Sequence, residues 1–296
     1  MKKFLLLILI PIFANGFEIN LPPVHSFHQI PYDLWNLTEK NHFSEEIHVY
    51  WANLFQERSN FSCDFELLKI NLILKYGLGE KTEVQLSLPF VWIGGGLLDP
   101  FIDGFHKLFG FPDAGRSKFP AFRTQLHLAY KGTDPFHIEK STGGISSPYL
   151  FIKRELAIKD KTFTFKFGFK FPVSSLPQGI DYRLPSLSGQ ISLPFNLPSG
   201  KLWVSFAAFM LRRPSFLSEN EFSTLTYKLE LFWVYKRIVL SFATRTSPFK
   251  LENLKERANV VSLAVLLKKN FFLGVMEDAR PYKTTPDISF FLIFKH

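Results

Sequence analysis

Residues Thr162 to Phe171 alternate almost without error. Phe163, Phe165, Phe167, Phe169 and Phe171 fall on one side of an extended chain, with Thr164, Lys166, Gly168 and Lys170 on the other. A period of two belongs to a strand, since successive side chains of a pleated backbone point to opposite faces. A strand of a soluble sandwich alternates as well. A full face of phenylalanine opposite lysine, however, suits a wall with hydrocarbon outside and water inside. The same pattern sets Val84, Leu86, Leu88 and Phe90 against Glu83, Gln85 and Ser87, and Leu68, Ile70, Leu72, Leu74 and Tyr76 against Lys69, Asn71 and Lys75. It returns in Leu225, Tyr227, Leu229, Leu231, Trp233 and Tyr235 against Thr226, Lys228 and Glu230, and in Ile288, Phe290, Leu292 and Phe294 against Ser289 and Lys295. Aromatic residues near the strand ends suit the girdles at membrane interfaces.

Connection lengths turn these strands into a topology. Five are tight: Gly77 to Thr82, Lys159 to Lys161, Leu197 to Gly200, Lys236 to Arg237 and Lys268 to Asn270. Each is separated from the next by two strands and a longer polar or Pro-rich loop. Short periplasmic turns, long outer loops and both termini on the periplasmic side are the rule for bacterial barrels, so five turns and two free ends predict twelve strands. They are placed at 46–56, 63–76, 83–92, 148–158, 162–172, 187–196, 201–211, 223–235, 238–246, 259–267, 271–278 and 287–295. Residues Phe122 to Lys131 alternate too. Counting them would break the order of short and long connections, so they are read as a hairpin inside an enlarged outer loop, with fourteen strands as the alternative. The predicted class is all-β, a transmembrane antiparallel barrel with a long helix-containing outer loop at 93–147.

Composition then supplies an address. The chain has 296 residues, 46% of them hydrophobic, with 35 Phe. Past the start no long uninterrupted apolar run occurs, so the hydrophobicity is spread over short pieces as strands spread it. Lys2 and Lys3, the apolar Phe4 to Ile10 and the small-residue site Ala14-Asn15-Gly16 read as an export signal over 1–16. The apolar stretch is far shorter than the roughly 20 residues a spanning helix needs. Residues 17–45, without clear period, are expected as a periplasmic segment that lines or closes the inner mouth, and 46–296 as the barrel. The net charge of +9 comes from singly scattered lysines, which points to anionic lipopolysaccharide or anionic solutes and not to nucleic acid. Cys63, the only cysteine, has no internal disulfide partner.

The distinctive stretch lies between Gly94 and Pro112. Asp99 can cap a helix whose first residue is Pro100 and whose end is marked by Gly110 and Pro112. Leu98, Phe101, Ile102, Phe105, Leu108 and Phe109 form one face, and Asp103, His106 and Lys107 lie on the other. Such a helix either folds into the barrel mouth as a constriction, lies against the outer leaflet as a lid, or merely covers the barrel top. Asp99, Asp103, Phe105, His106 and Arg116 are the candidate gating or binding residues, and Lys69, Lys166, Lys170, Lys228 and Glu230 the candidate lumen residues. Asp103 and His106 stand one turn apart and can pair.

Other chemistry is thinly marked. No Gly-x-Ser-x-Gly elbow is present, although a barrel hydrolase can assemble its dyad across strands, which leaves His48, His127 and His137 as possible bases. His25 and His28 have a metal-binding spacing but lack a neighbouring Cys or carboxylate cluster, so neither a metal nor a cofactor is expected. Gly94 to Gly96 fit neither a phosphate loop nor a dinucleotide fingerprint.

Two blocks carry a resemblance. One runs from Gly94 to Arg116 and includes Gly95-Gly96-Leu97-Leu98-Asp99, Phe105-His106 and Phe109-Gly110-Phe111-Pro112-Asp113-Ala114-Gly115-Arg116. The other is Tyr76-Gly77-Leu78-Gly79-Glu80-Lys81-Thr82-Glu83 followed by Ser87-Leu88-Pro89. With them the chain resembles a family of bacterial outer-membrane proteins of unknown function. The second block is also similar to the turn and strand of a wider set of barrels that includes aromatic-compound and fatty-acid transporters. The resemblance implies an exported barrel and brings no substrate or catalytic residue. Unlike the usual barrel ending, Phe294 is followed by Lys295 and His296.

Three functions are therefore open: a narrow or plugged channel for small or apolar molecules, a membrane-embedded enzyme acting on lipid or lipopolysaccharide, and a structural or assembly barrel without a solute. The expected location is the outer membrane, and the expected partners are its lipids, lipopolysaccharide and the barrel-assembly machinery.

Overall fold

The computed structural model describes residues 37–110, 118–159, 161–252, 254–255, 257–268, 270–278 and 288–296. Residues 1–36, which contain the expected export signal, lie outside the described residues, as does Arg116.

Twelve antiparallel strands close on themselves. In chain order they are β1 (Phe43–Arg58), β2 (Phe61–Gly79), β3 (Thr82–Gly94), β7 (Tyr149–Ile158), β8 (Lys161–Lys170), β9 (Ser186–Leu197), β10 (Gly200–Leu211), β11 (Leu225–Tyr235), β12 (Ile238–Arg245), β13 (Ala258–Lys268), β14 (Phe271–Asp278) and β15 (Ile288–Lys295). Each pairs with its neighbour in sequence, and β15 returns to β1 in a register running from Glu46↔Lys295 to Asn53↔Ile288. Closure removes every free edge, so the backbone groups of the ring are satisfied within the wall.

The connection between β3 and β7 holds the rest of the regular structure. It contains helix α1 (Asp99–Phe109) and three short strands, β4 (Gln125–Tyr130), β5 (Thr133–Ile138) and β6 (Thr142–Ile145). β4 pairs with the far end of β2 and with β5, so a hairpin does lie in this loop, but the segment read at 122–131 supplies only its first arm, and the ring has twelve strands, not fourteen. Its turn is Lys131-Gly132, with φ of 49° and 75°. Two successive positive φ values make the tight hairpin turn whose twist matches the strands it joins, and only glycine adopts the second without strain. β6 pairs with β3 just beyond the β3–β7 register, so it continues the line of β7.

The wall has two faces of opposite chemistry. Ile152, Phe167, Phe206, Met210, Tyr227 and Leu273 point outward and are exposed, while Lys69, Lys153, Lys166, Lys228 and Glu230 point inward and are buried. This is inverted relative to a soluble protein and matches a barrel in lipid. Among the described residues no helix is long and apolar enough to cross a membrane; crossing falls to the strands.

At the end carrying the tight turns, the segment preceding β1 folds back onto the rim. Asn41 donates its amide to the Gly77 carbonyl at 2.8 Å, and Thr38 donates its own to Glu83 Oε2 at 2.6 Å. A Cβ at Gly77 would stand 2.1 Å from the Glu39 carbonyl oxygen, so this docking requires glycine there. His296 reaches beyond β15 and exchanges backbone hydrogen bonds with Glu45, so Lys295 and His296 extend the closing seam.

Candidate functional site

The site is the lumen, and it is layered. Near the turn end, Glu46 accepts from Lys75 Nζ at 2.5 Å and bonds His48 Nε2 at 3.0 Å, while His48 Nδ1 lies 3.4 Å from the Tyr50 hydroxyl. All four side chains project from β1 and β2 toward the interior because they share one parity of the strand register. Across from them Gln85 donates to Glu83 at 2.6 Å and Ser87 to Asn71 at 2.7 Å.

Above this lies a cationic belt. Lys69, Lys153, Lys166, Lys170, Lys228 and Arg245 enter from β2, β7, β8, β11 and β12, all buried, with Glu230 and Asp181 among them. Lys228 bonds Glu230. Lys166 sits 4.6 Å from the centre of the Phe151 ring and Arg245 4.3 Å from that of Phe209, so ring faces share in holding the cations. Lys170 meets Asp181 Oδ1 at 2.7 Å, and the other Asp181 oxygen accepts from the Ser146 hydroxyl and the Ser147 amide, both at 2.7 Å. Burial alone would raise the Asp181 carboxyl. The Lys170 ammonium, its hydrogen bond and those of Ser147 and Ser146 outweigh that effect and hold it below the ordinary aspartate value.

The loop end is closed by an aromatic cap. Tyr130 and Phe136 come from the β4–β5 hairpin, Tyr182 from loop 171–185, Phe216 and Phe222 from loop 212–224, and Phe249 from loop 246–257. Their rings stand 6.0 to 6.5 Å apart along the chain Tyr130–Phe216–Tyr182–Phe249–Phe222, and Phe136 touches both Tyr182 and Phe216. Leu126, Leu128, Leu176, Ile180 and Leu217 fill the space beneath. A clasp spans the rim: Lys131 Nζ, on the hairpin turn, lies 3.0 Å from Glu221 on a short 3₁₀ segment (Glu219–Glu221). Hydrogen bonds from Ser218, Tyr130 and Lys131 pull the Glu221 carboxyl down to about 2.

Helix α1 is elsewhere. Asn53 donates to Asp99 Oδ1 at 2.9 Å, the Leu98 amide donates to Glu66, and Trp51 Nε1 donates to the other Glu66 oxygen at 2.7 Å. Trp51, Asn53 and Glu66 have the outward parity of β1 and β2, opposite to Tyr50, Ala52 and Leu67. Phe101 packs at 6.1 Å from Phe290, also on the outer side of the wall. The helix therefore lies outside the barrel. Leu98 and Ile102 face the wall, whereas Phe101 and Leu108 remain exposed toward the surroundings. Of the placements open to it, constriction of the mouth is not the one adopted: the helix lies against the outer face of the wall, and other loops cover the mouth.

The candidate residues thus separate. Lys69, Lys166, Lys170, Lys228 and Glu230 share the lumen, while Asp99 anchors α1 outside it and Asp103 is half-buried on the same helix. The side chains of Phe105 and His106 lie outside the described residues, so the Asp103–His106 pair has no structural account. Of the histidines considered as bases, His48 bonds Glu46 and Tyr50, His127 bonds Asp134, and His137 bonds Glu139, none of which makes a Ser–His dyad. Asp181 and the cap aromatics Tyr182, Phe216, Phe222 and Phe249 escaped the sequence because their loops have no period. Only the density of aromatics in otherwise polar loops hinted at them.

The fold and site together define a transmembrane β-barrel with a charged lumen and a lid of loops. The chain belongs to the family described as a protein of unknown function (DUF3187), which matches residues 19–175. No curated protein matches. Among solved structures, the chain is similar to the COG4313 outer membrane channel from Pseudomonas putida F1, at 9% identity and a TM-score of 0.51, with 90% of this chain and 99% of that one covered. It is also similar to the P. putida toluene transporter TodX, at 8% identity and a TM-score of 0.38, covering 87% and 90% of the two chains. At these identities the first likeness concerns the fold, and the second is too loose to add to it.

Proposed function

We propose that this protein is an outer-membrane channel for small molecules, shut at its outer mouth by the aromatic cap. The observation that carries this reading is the stacking of two incompatible layers inside one cylinder. A barrel serving only as a membrane anchor gains nothing from burying seven cations, Lys75 and the six of the belt, in its interior, because each costs desolvation that partners only partly offset. A wet, positively lined passage accounts for them, and the cap accounts for how a leak is prevented. A solute must displace aromatic side chains and then cross a cationic belt, which favours small molecules with an apolar body and an anionic group.

A groove of about 430 Å³ on the outer face supports a second route, through the wall. It is lined by outward Ile152, Arg154, Phe165, Phe167, Ile191 and Phe206 around Gly189, with Lys166 and Gln190 in its floor on two paired strands. The space over Gly189 is open, so an apolar molecule in the bilayer can approach the wall there.

Planar-bilayer recordings decide between these readings. Wild-type protein is expected to conduct rarely. A variant with Phe136, Tyr182 and Phe216 all changed to Ala should conduct steadily and favour anions. Silence of both proteins, with the variant shown to be folded, would remove the channel. Filling the groove with Gly189→Leu separates the routes, since it blocks uptake through the wall and leaves conductance through the mouth untouched.

A further inference from the structure

We infer that the outer face of the β4–β5 hairpin is a binding site for a divalent transition-metal ion of the zinc type, with His127, Asp134 and His137 as ligands and Glu139 as the fourth donor. His127 and His137 are directly opposed across the hairpin, and their rings are 4.7 Å apart. The register places both on the side away from the cap, because Leu126, Leu128, Phe136 and Ile138 occupy the alternate positions and are buried. Asp134 follows the turn and brings Oδ1 within 3.1 Å of His127 Nε2, while Glu139 Oε1 stands 2.9 Å from His137 Nε2.

These spacings suit a metal. Zinc binds imidazole nitrogen and carboxylate oxygen at about 2.0–2.2 Å, which in a tetrahedron sets neighbouring donors a little over about 3 Å apart. Donor atoms of His127, Asp134 and His137 all lie within 4.8 Å of one another, so side-chain rotations suffice to enclose an ion without moving the backbone. Two imidazoles with two carboxylates select zinc, copper or nickel over calcium or magnesium, which take oxygen donors. Arg123, on the same strand side, faces Glu57 and Asp64 at 3.8 and 3.9 Å.

A metal held here would tie β4 to β5 on the face opposite the aromatic cap, making the hairpin a stiffer lid. The binding itself does not depend on the channel reading. Only an effect on conductance would.

Zinc titration of the full-length protein in detergent, followed by calorimetry, tests the site, with calcium as the control cation. One Zn²⁺ per chain is expected, and calcium should give no heat. His127→Ala and His137→Ala should each weaken binding at least tenfold, and Asp134→Asn by a smaller factor. The double variant His25→Ala/His28→Ala should leave it unchanged. Heat-modifiable migration on gels verifies that each variant remains a folded barrel. Absence of zinc binding, undiminished binding when His127 and His137 are both changed, or loss of binding in the His25/His28 variant would each overturn the inference.

Discussion

The connection between β3 and β7 splits into two halves with opposite fates. Its first half, α1 and the segment around Phe119 to Arg123, is strapped to the outside of the wall; its second half, the β4–β5 hairpin, is folded over the mouth. Both are amphipathic. The strap is fixed by a few polar contacts, Asp99 to Asn53 and Leu98 to Glu66, and leaves Phe101 and Leu108 exposed to its surroundings. The hairpin buries its apolar face, Leu126, Leu128, Phe136 and Ile138, and its aromatic rings meet two other loops. Polar anchoring on one side and apolar burial on the other predict that disrupting the hairpin alters passage through the barrel, whereas disrupting the strap alters only how the barrel sits in its membrane.

The largest effect should come from Asp181, which ties loop 171–185 under the cap. Asp181→Ala leaves Lys170 buried without its carboxylate and removes acceptors from Ser146, Ser147 and Arg183. Removal of one partner of a buried pair costs about 3–5 kcal/mol. Urea unfolding in detergent should show that loss, accompanied by steady conductance. The native carboxyl is held below its unfolded value, so its contribution is fully present above the ordinary aspartate range and disappears as pH falls through the depressed value. Conductance of the wild type should accordingly rise only in acid below that range, and opening near neutral pH would show that Asp181 is not the latch.

Phe136→Ala is next. The ring is buried between Tyr182 and Phe216, and its removal should cost about 3–4 kcal/mol and open the mouth. A cap variant destabilised by that amount but still non-conducting would separate the aromatic cluster from gating.

These residues mark the boundary of what sequence could show. The twelve strands were legible because lipid and water on either side of one sheet force a strict period of two, and because five tight turns punctuate it at regular intervals. The position of α1 was not legible from its own residues. An amphipathic face reads the same whether its apolar side meets a protein wall, a lumen or lipid. The clue lay instead in β2, where the outward run of Tyr76, Leu74, Leu72, Ile70 and Leu68 ends in Glu66 and Asp64. Carboxylates at lipid-facing parity call for a covering element, and the strap supplies it. The histidine pair was legible in the same indirect sense, since His127 and His137 stand symmetrically about Gly132, but only a settled turn turns that symmetry into proximity.

Glu66→Ala sharpens the contrast from the other side. The carboxylate accepts from the Leu98 amide and from Trp51 Nε1, and loss of two hydrogen bonds to a buried charged acceptor should cost about 2–3 kcal/mol. Limited proteolysis should then cut the stretch between Gly94 and Arg123 faster, while single-channel conductance stays at the wild-type value. A change in conductance would mean that the strap reports to the lumen.

The smallest effect is expected at Leu108, the most exposed of the described apolar side chains of α1, at 78%. An exposed residue contributes little to the packed barrel, so Leu108→Ser should shift unfolding in detergent by less than about 0.5 kcal/mol. In a bilayer the same side chain is expected to face acyl chains, and exchanging it for a hydroxyl should then remove apolar area from contact with lipid. The variant should therefore be indistinguishable from wild type in micelles, while its helix becomes more accessible to a water-soluble probe in vesicles. If a cysteine placed at Lys107 were labelled equally fast in both backgrounds, the outer face of the strap would not be resting on lipid, and the division between a membrane-facing half and a lumen-facing half would fail at its weaker end.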